Sequence, residues 1–90
     1  MVFSDVPFAA IRKLLLGLGF IEKALPPDDT HDVPGIVFGH LPSRAVFEFP
    51  AYRPKDRVSM ADLVMVRRQF DWRGVMSEEA FDAALRKASA

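Results

Sequence analysis

Residues 35–50 read GIVFGHLPSRAVFEFP, two β-rich runs either side of a Pro-Ser turn. Ile36, Val37 and Phe38 form the centre of the first run, Gly35–His40, and Ala45–Phe49 forms the second. Leu41-Pro42-Ser43-Arg44 joins them, a link short enough to predict a β-hairpin. Pro50 ends the second strand, since proline cannot donate to a ladder. Upstream, Phe20–Leu25 is a third strand candidate in which Phe20, Glu22 and Ala24 alternate with Ile21, Lys23 and Leu25. Pro26-Pro27 stops it, and residues 26–34 (PPDDTHDVP) are a polar, acidic loop. Three consecutive strands with short links pair antiparallel.

Helices flank this sheet on both sides in sequence. Residues 6–18 carry Phe8, Ile11, Leu14, Leu15 and Leu18 at helical spacing, with Arg12 and Lys13 on the other side. Ser4 or Asp5 is the candidate cap, and Pro7 suits the first turn, where its missing N–H is not needed. Gly17 and Gly19 end the helix, Gly19 being the expected left-handed residue. A second helix has Ser59 as N-cap, Asp62 at the third position, and Val58 and Leu63 as a hydrophobic staple. Met60, Leu63, Val66 and Phe70 line its apolar face, Trp72 is expected in the core near its end, and Gly74 closes it. A short third helix starts at Ser77. Glu78 and Glu79 lie in its positive first turn, Met76 and Phe81 form its staple, and Phe81, Ala84 and Leu85 its buried side. The expected fold is a single α+β domain over residues 1–90: a small antiparallel three-stranded sheet with helices on one face.

Composition narrows the function. Hydrophobic residues make 50% of the 90-residue chain and charged residues 27%, an ordinary globular balance. The absence of cysteine removes disulfides, thiolate zinc sites and a cysteine nucleophile. No apolar run approaches the roughly 18 residues of a membrane span. The N-terminus lacks the basic-then-apolar pattern of a secretory signal, so a cytoplasmic protein is expected. The net charge is zero, which argues against gripping long nucleic acid by bulk charge. The charge is nonetheless uneven: residues 1–50 carry −2, residues 51–75 carry +3 and the last fifteen carry −1.

Phosphate loops, paired zinc-ligand spacings and nucleophile elbows are absent. His31 lies among Asp28, Asp29 and Asp32 in the acidic loop, and His40 ends a strand beside a turn. Either could move a proton near neutral pH, though a surface histidine is commonly just a polar residue. Metal binding by both would require them to converge across a loop containing Pro34. The other dense stretch is Phe49–Arg57 (FPAYRPKDR). Tyr52 could stack on a nucleic-acid base while Arg53, Lys55 and Arg57 hold phosphates. The plainer account is a proline-stiffened connection with Tyr52 packed on the core. Arg67 and Arg68 lie on the polar side of the second helix, where Asp71 is positioned to pair with them.

Taken in order, these pieces resemble the HicA toxins of bacterial toxin–antitoxin systems. Ile11–Phe20 (IRKLLLGLGF) looks like the family's opening helix with its glycine-aromatic ending. Val46–Arg57 (VFEFPAYRPKDR) is similar to its third strand and following loop, and Val58–Phe81 to its second helix and acidic-aromatic continuation (Ser77–Phe81, SEEAF). The likeness spans nearly the whole chain and rests on order and spacing rather than on one motif. It implies a fold like that of double-stranded-RNA-binding domains (α-β-β-β-α plus a short C-terminal helix). It also implies a metal-independent, cofactor-free endonuclease of messenger RNA, neutralised by a HicB-like antitoxin protein. The family's Gly-Ser-His catalytic motif is not intact here. Thr30-His31 is the nearest match, with Asp29 in place of the glycine. Alignment on Val37-Phe38 instead brings the catalytic place near Gly35, and His40 then matches a later histidine. On the resemblance, His31 is the candidate proton-transfer residue and Tyr52, Arg53, Lys55, Arg57, Arg67 and Arg68 are the RNA-binding candidates. The alternative is a non-catalytic HicA-like module that binds a protein partner or RNA without cutting it.

Overall fold

Two glycines frame the molecule. In the computed structural model, which describes residues 6–26 and 34–89, α1 (Phe8–Gly17) and α2 (Met60–Trp72) end in the same backbone device. Gly19 and Gly74 take φ of +95° and +71°. The N–H of Phe20 donates to the Leu15 carbonyl at 3.1 Å and that of Gly19 to Leu16 at 3.1 Å. Val75 and Gly74 repeat the pattern on Phe70 (2.8 Å) and Asp71 (3.2 Å). These are Schellman motifs, and only a residue without Cβ enters the left-handed region at no cost. The first one turns the chain so that Phe20 enters the core and β1 (Ile21–Leu25) begins.

β2 (Gly35–His40) and β3 (Ala45–Pro50) follow, then α2 and α3 (Glu78–Ser89), giving the order α-β-β-β-α-α. The sheet is antiparallel with strand order β1-β2-β3. Glu22, Phe38 and Phe47 form one cross-strand row, and Ala24, Ile36 and Phe49 another. Both rows face the helices, because alternate residues of a strand point to opposite sides. Phe38, Phe47 and Phe49 are no more than 1% exposed. Phe8 of α1 meets Phe38 and Phe49, Phe70 of α2 meets Phe20 and Phe47, and Phe81 of α3 stands edge-on to Phe70. α3 packs against both other helices. Glu22, on the core side of an edge strand, is covered by a 2.7 Å ion pair from Arg12 of α1.

Several sequence expectations are corrected. α1 starts at Phe8 rather than Val6, because Val6 and Pro7 are held extended against the loop after β3 by the Val58 N–H on the Val6 carbonyl (2.9 Å) and a Pro7–Arg57 bridge. Pro7 is the N-cap and offers no side-chain cap; Ser4 and Asp5 lie outside the described residues. The first amides of α1 are satisfied instead by that loop: Phe8 donates to the Asp56 carbonyl at 2.8 Å and Ala9 to that of Pro54 at 3.0 Å. Ser59 does cap α2, its Oγ accepting the Asp62 N–H at 3.2 Å. Met60 is 48% exposed rather than part of the apolar face, because side chains in a first turn lean back past the helix end. Trp72 is 75% exposed instead of buried. It stands two residues, more than half a turn, beyond buried Phe70, and the Arg73 guanidinium lies over its ring at 5.1 Å. α3 is not short: its 12 residues exceed the 10 of α1.

Candidate nucleic-acid interface

The segment from Pro50 to Ser59 is built by its own hydrogen bonds. The Arg53 N–H donates to Asp56 Oδ2 at 2.7 Å and the Asp56 N–H to the Arg53 carbonyl at 3.0 Å, closing a turn with Pro54 and Lys55 at its corner. The Arg53 backbone N–H, and secondarily its guanidinium, holds the Asp56 carboxyl below its ordinary pKa. Arg53 is therefore paired, at 3.3 Å, although its side chain stays 85% exposed. Lys55, at the tip of this turn, is exposed and makes no ion pair among the described residues. Arg57 is exposed next to the bridge with Pro7.

Tyr52 follows the plainer account. Its ring lies 5.3 Å from that of Phe8 and 6.5 Å from that of Phe49. Its hydroxyl donates to Asp62 Oδ2 at 2.7 Å and accepts the Ser59 N–H at 3.1 Å. It ties the loop to the first turn of α2, so its face is taken by phenylalanine rather than presented for a base.

The arginine pair on α2 divides. Neither Arg67 nor Arg68 bonds Asp71. Arg67 reaches across to α3, where its Nε and Nη2 donate to Asp82 at 2.8 and 3.0 Å and its Nη1 to Glu78. Its side chain is only 18% exposed. The hydrogen bond from Arg67 lowers the Asp82 carboxyl pKa, and Asp82 in turn raises that of Arg67. Residues 78 and 82 are one turn apart on α3, so a single helix face offers both carboxylates. That spacing is the signal that could have identified this partner in the sequence. Arg68, about 100° further round α2, is exposed with no ion pair among the described residues.

His31 lies outside the described residues. His40 is placed as a structural residue: its ring stacks on Phe20 at 4.6 Å and its Nδ1 lies 2.7 Å from Ser43 Oγ, inside the hairpin turn. Gly35, the other place the catalytic histidine could align, is tight for a side chain. A Cβ there would stand 3.0 Å from the Phe49 carbonyl oxygen. No group of three or more His, Asp or Glu side chains that could hold a metal occurs among the described residues, and no helix there is long and apolar enough to cross a membrane.

Of the six cationic and aromatic candidates, the fold thus brings Tyr52, Arg53, Lys55 and Arg57 into one loop and sets Arg67 and Arg68 apart on α2. Tyr52 and Arg67 are largely consumed by packing. Lys55 and Arg68 present charge to solvent, and so, although each is engaged by a contact of its own, do the exposed Arg53 and Arg57. The chain matches no protein-family model, no curated protein and no solved structure.

Proposed function

We propose that this chain is a HicA-like, RNA-directed domain of a toxin–antitoxin pair, a metal-independent endonuclease of messenger RNA held in check by a HicB-like antitoxin in the cytoplasm. The observation that carries this reading is the order helix, three antiparallel strands, helix, with the helices on one sheet face. The three stretches that resemble the family fall on α1 with its glycine stop, on β3 with its basic loop, and on α2 with the start of α3. In the proposed chemistry a neutral His31 takes the 2′-hydroxyl proton of the RNA, a group DNA lacks, or assists the leaving oxygen. The 2′-oxygen bonds to the adjacent phosphorus, the P–O5′ bond breaks, and the 5′-oxygen leaves as a hydroxyl with a proton from the imidazolium or water. Lys55, Arg57, Arg68 and Arg53 hold phosphate oxygens and offset the negative charge that builds on the oxygens of the phosphorane-like state.

Binding is the first test. A labelled messenger-RNA fragment titrated at several salt concentrations should bind weakly, with affinity falling as salt rises. Lys55→Ala and Arg68→Ala should each weaken it and reduce the salt slope by roughly one. No detectable binding at low salt, or binding indifferent to both changes, refutes the RNA reading.

A second reading is favoured by particular contacts: a HicA-like module that binds a protein or RNA without cutting. Tyr52 and Arg67 are engaged within the protein, and a Cβ at Gly35 would press on the Phe49 carbonyl oxygen at 3.0 Å. Cleavage of the bound RNA separates the two readings.

A further inference from the structure

We propose that the uncovered face of the sheet docks an acidic amphipathic helix from a partner protein. This inference stands apart from the RNA reading, since it concerns the face opposite the helices. On that face Ile21, Gly39 and Val46 form one cross-strand row, and Lys23, Val37 and Glu48 the next. Ile21 is 64% exposed, Val46 67% and Leu41, at the hairpin tip, 86%. Single exposed aliphatics are ordinary, but these are contiguous and rim a groove of about 490 Å³. Its floor is open because Gly39 carries no side chain: a Cβ there would meet nothing within 4 Å.

Three features select the occupant. A sheet bare on one face is completed most simply by a helix laid across it. Among the described residues the charged groups lining the groove are Lys23 and Arg44; Glu48, in the same cross-strand row as Lys23, has a contact of its own and does not line it. A second copy of this face would oppose like charges, whereas a helix with acidic flanks would neutralise them. Nucleic acid is disfavoured because the lining is aliphatic; its one ring, His40, is already stacked on Phe20. Arg44 adds a further sign. It holds φ +59°, where a glycine would be unstrained, and in that turn its side chain lines the groove.

The test is an amide chemical-shift titration of the full chain with a synthetic helical peptide bearing leucines on one face and glutamates on the others. A peptide with lysine in place of glutamate serves as control. The glutamate peptide should shift the amides of Ile21, Val37, Gly39 and Val46, and the lysine peptide should not. Gly39→Val places a side chain in the groove, where a Cβ meets nothing within 4 Å, and keeps strand propensity, so it should fold, as circular dichroism checks, and weaken binding roughly tenfold or more. A Lys23→Glu, Arg44→Glu double variant should exchange the preference toward the lysine peptide. The proposal is overturned if neither peptide moves those amides, if both move them equally, if an RNA oligonucleotide moves them instead, or if they shift with protein concentration alone.

Discussion

Val46 and Phe47 are neighbours on β3 and lie on opposite sides of it: Phe47 is 1% exposed among phenylalanines, while Val46 is 67% exposed. The same contrast runs across the whole sheet. The covered face is aromatic, with Phe38, Phe47 and Phe49 meeting Phe8, Phe20 and Phe70 from the helices and the first turn. The open face carries Ile21, Val37 and Val46 beside Lys23 and Arg44 in its groove, with Glu48 further along the row of Lys23 and Val37. Strand alternation in a sheet covered on one side ordinarily reads apolar-in and polar-out. Here both sides are apolar, so hydrophobicity identifies two surfaces and only one of them is used for folding. The other is the surface proposed above for a partner helix.

The contrast is broken most sharply by truncation. Phe47→Ala should cost about 3–5 kcal/mol in urea unfolding, as expected for an emptied aromatic site, and Val46→Ala no more than about 0.5 kcal/mol. Comparable losses at the two positions would mean that the outer face is already covered in the isolated protein.

A smaller effect is expected at the junction of α2 and α3. The Asp82 carboxyl is held below its ordinary value of 3.8 by the Arg67 hydrogen bond. A lowered folded pKa means that the unfolded chain binds the proton more readily, so this stabilisation is present above the ordinary value and lost as pH falls below it. Stability should therefore decline below about pH 4, and Asp82→Asn should be less stable at neutral pH with a shallower acid slope. Asp56, whose carboxyl is also lowered, contributes to the residual slope. An unchanged slope in Asp82→Asn would remove Arg67 from its role between the helices.

Smaller again is the turn. Arg44→Gly relieves a left-handed arginine and should raise stability by about 1 kcal/mol, while weakening capture of the acidic peptide. A destabilised Arg44→Gly would show that the arginine side chain supports the hairpin rather than the groove.

The hairpin, both glycine stops and the Ser59 cap were legible in the sequence, because each depends on chemistry within a few residues. What sequence reading missed depends on contacts far apart in the chain. Arg67 seemed paired to Asp71 on its own helix, but α3 brings Asp82 and Glu78 closer in the right direction. The cap of α1 was sought at Ser4 or Asp5, while carbonyls of residues 54 and 56 satisfy its first amides. Trp72 was expected in the core near the end of α2, yet its angle around the helix relative to Phe70 directs it outward. The basic loop was visible as charge, but not the use of Tyr52 as a tie to Asp62. The open-face groove has a signal in the apolar outward positions Ile21, Val37 and Val46, but only the register of the three strands brings them side by side.

The most direct measurement is cleavage of messenger RNA by the purified chain in the presence of a chelator, with His31→Gln and His40→Gln in parallel and folding of each checked by circular dichroism. The account predicts cutting of RNA but not of DNA of the same sequence, retained by His40→Gln and reduced roughly a hundredfold or more in His31→Gln, the scale of lost general acid–base help. A His31→Gln protein that cuts at the parent rate, or a parent that never cuts with or without added divalent metal, contradicts it.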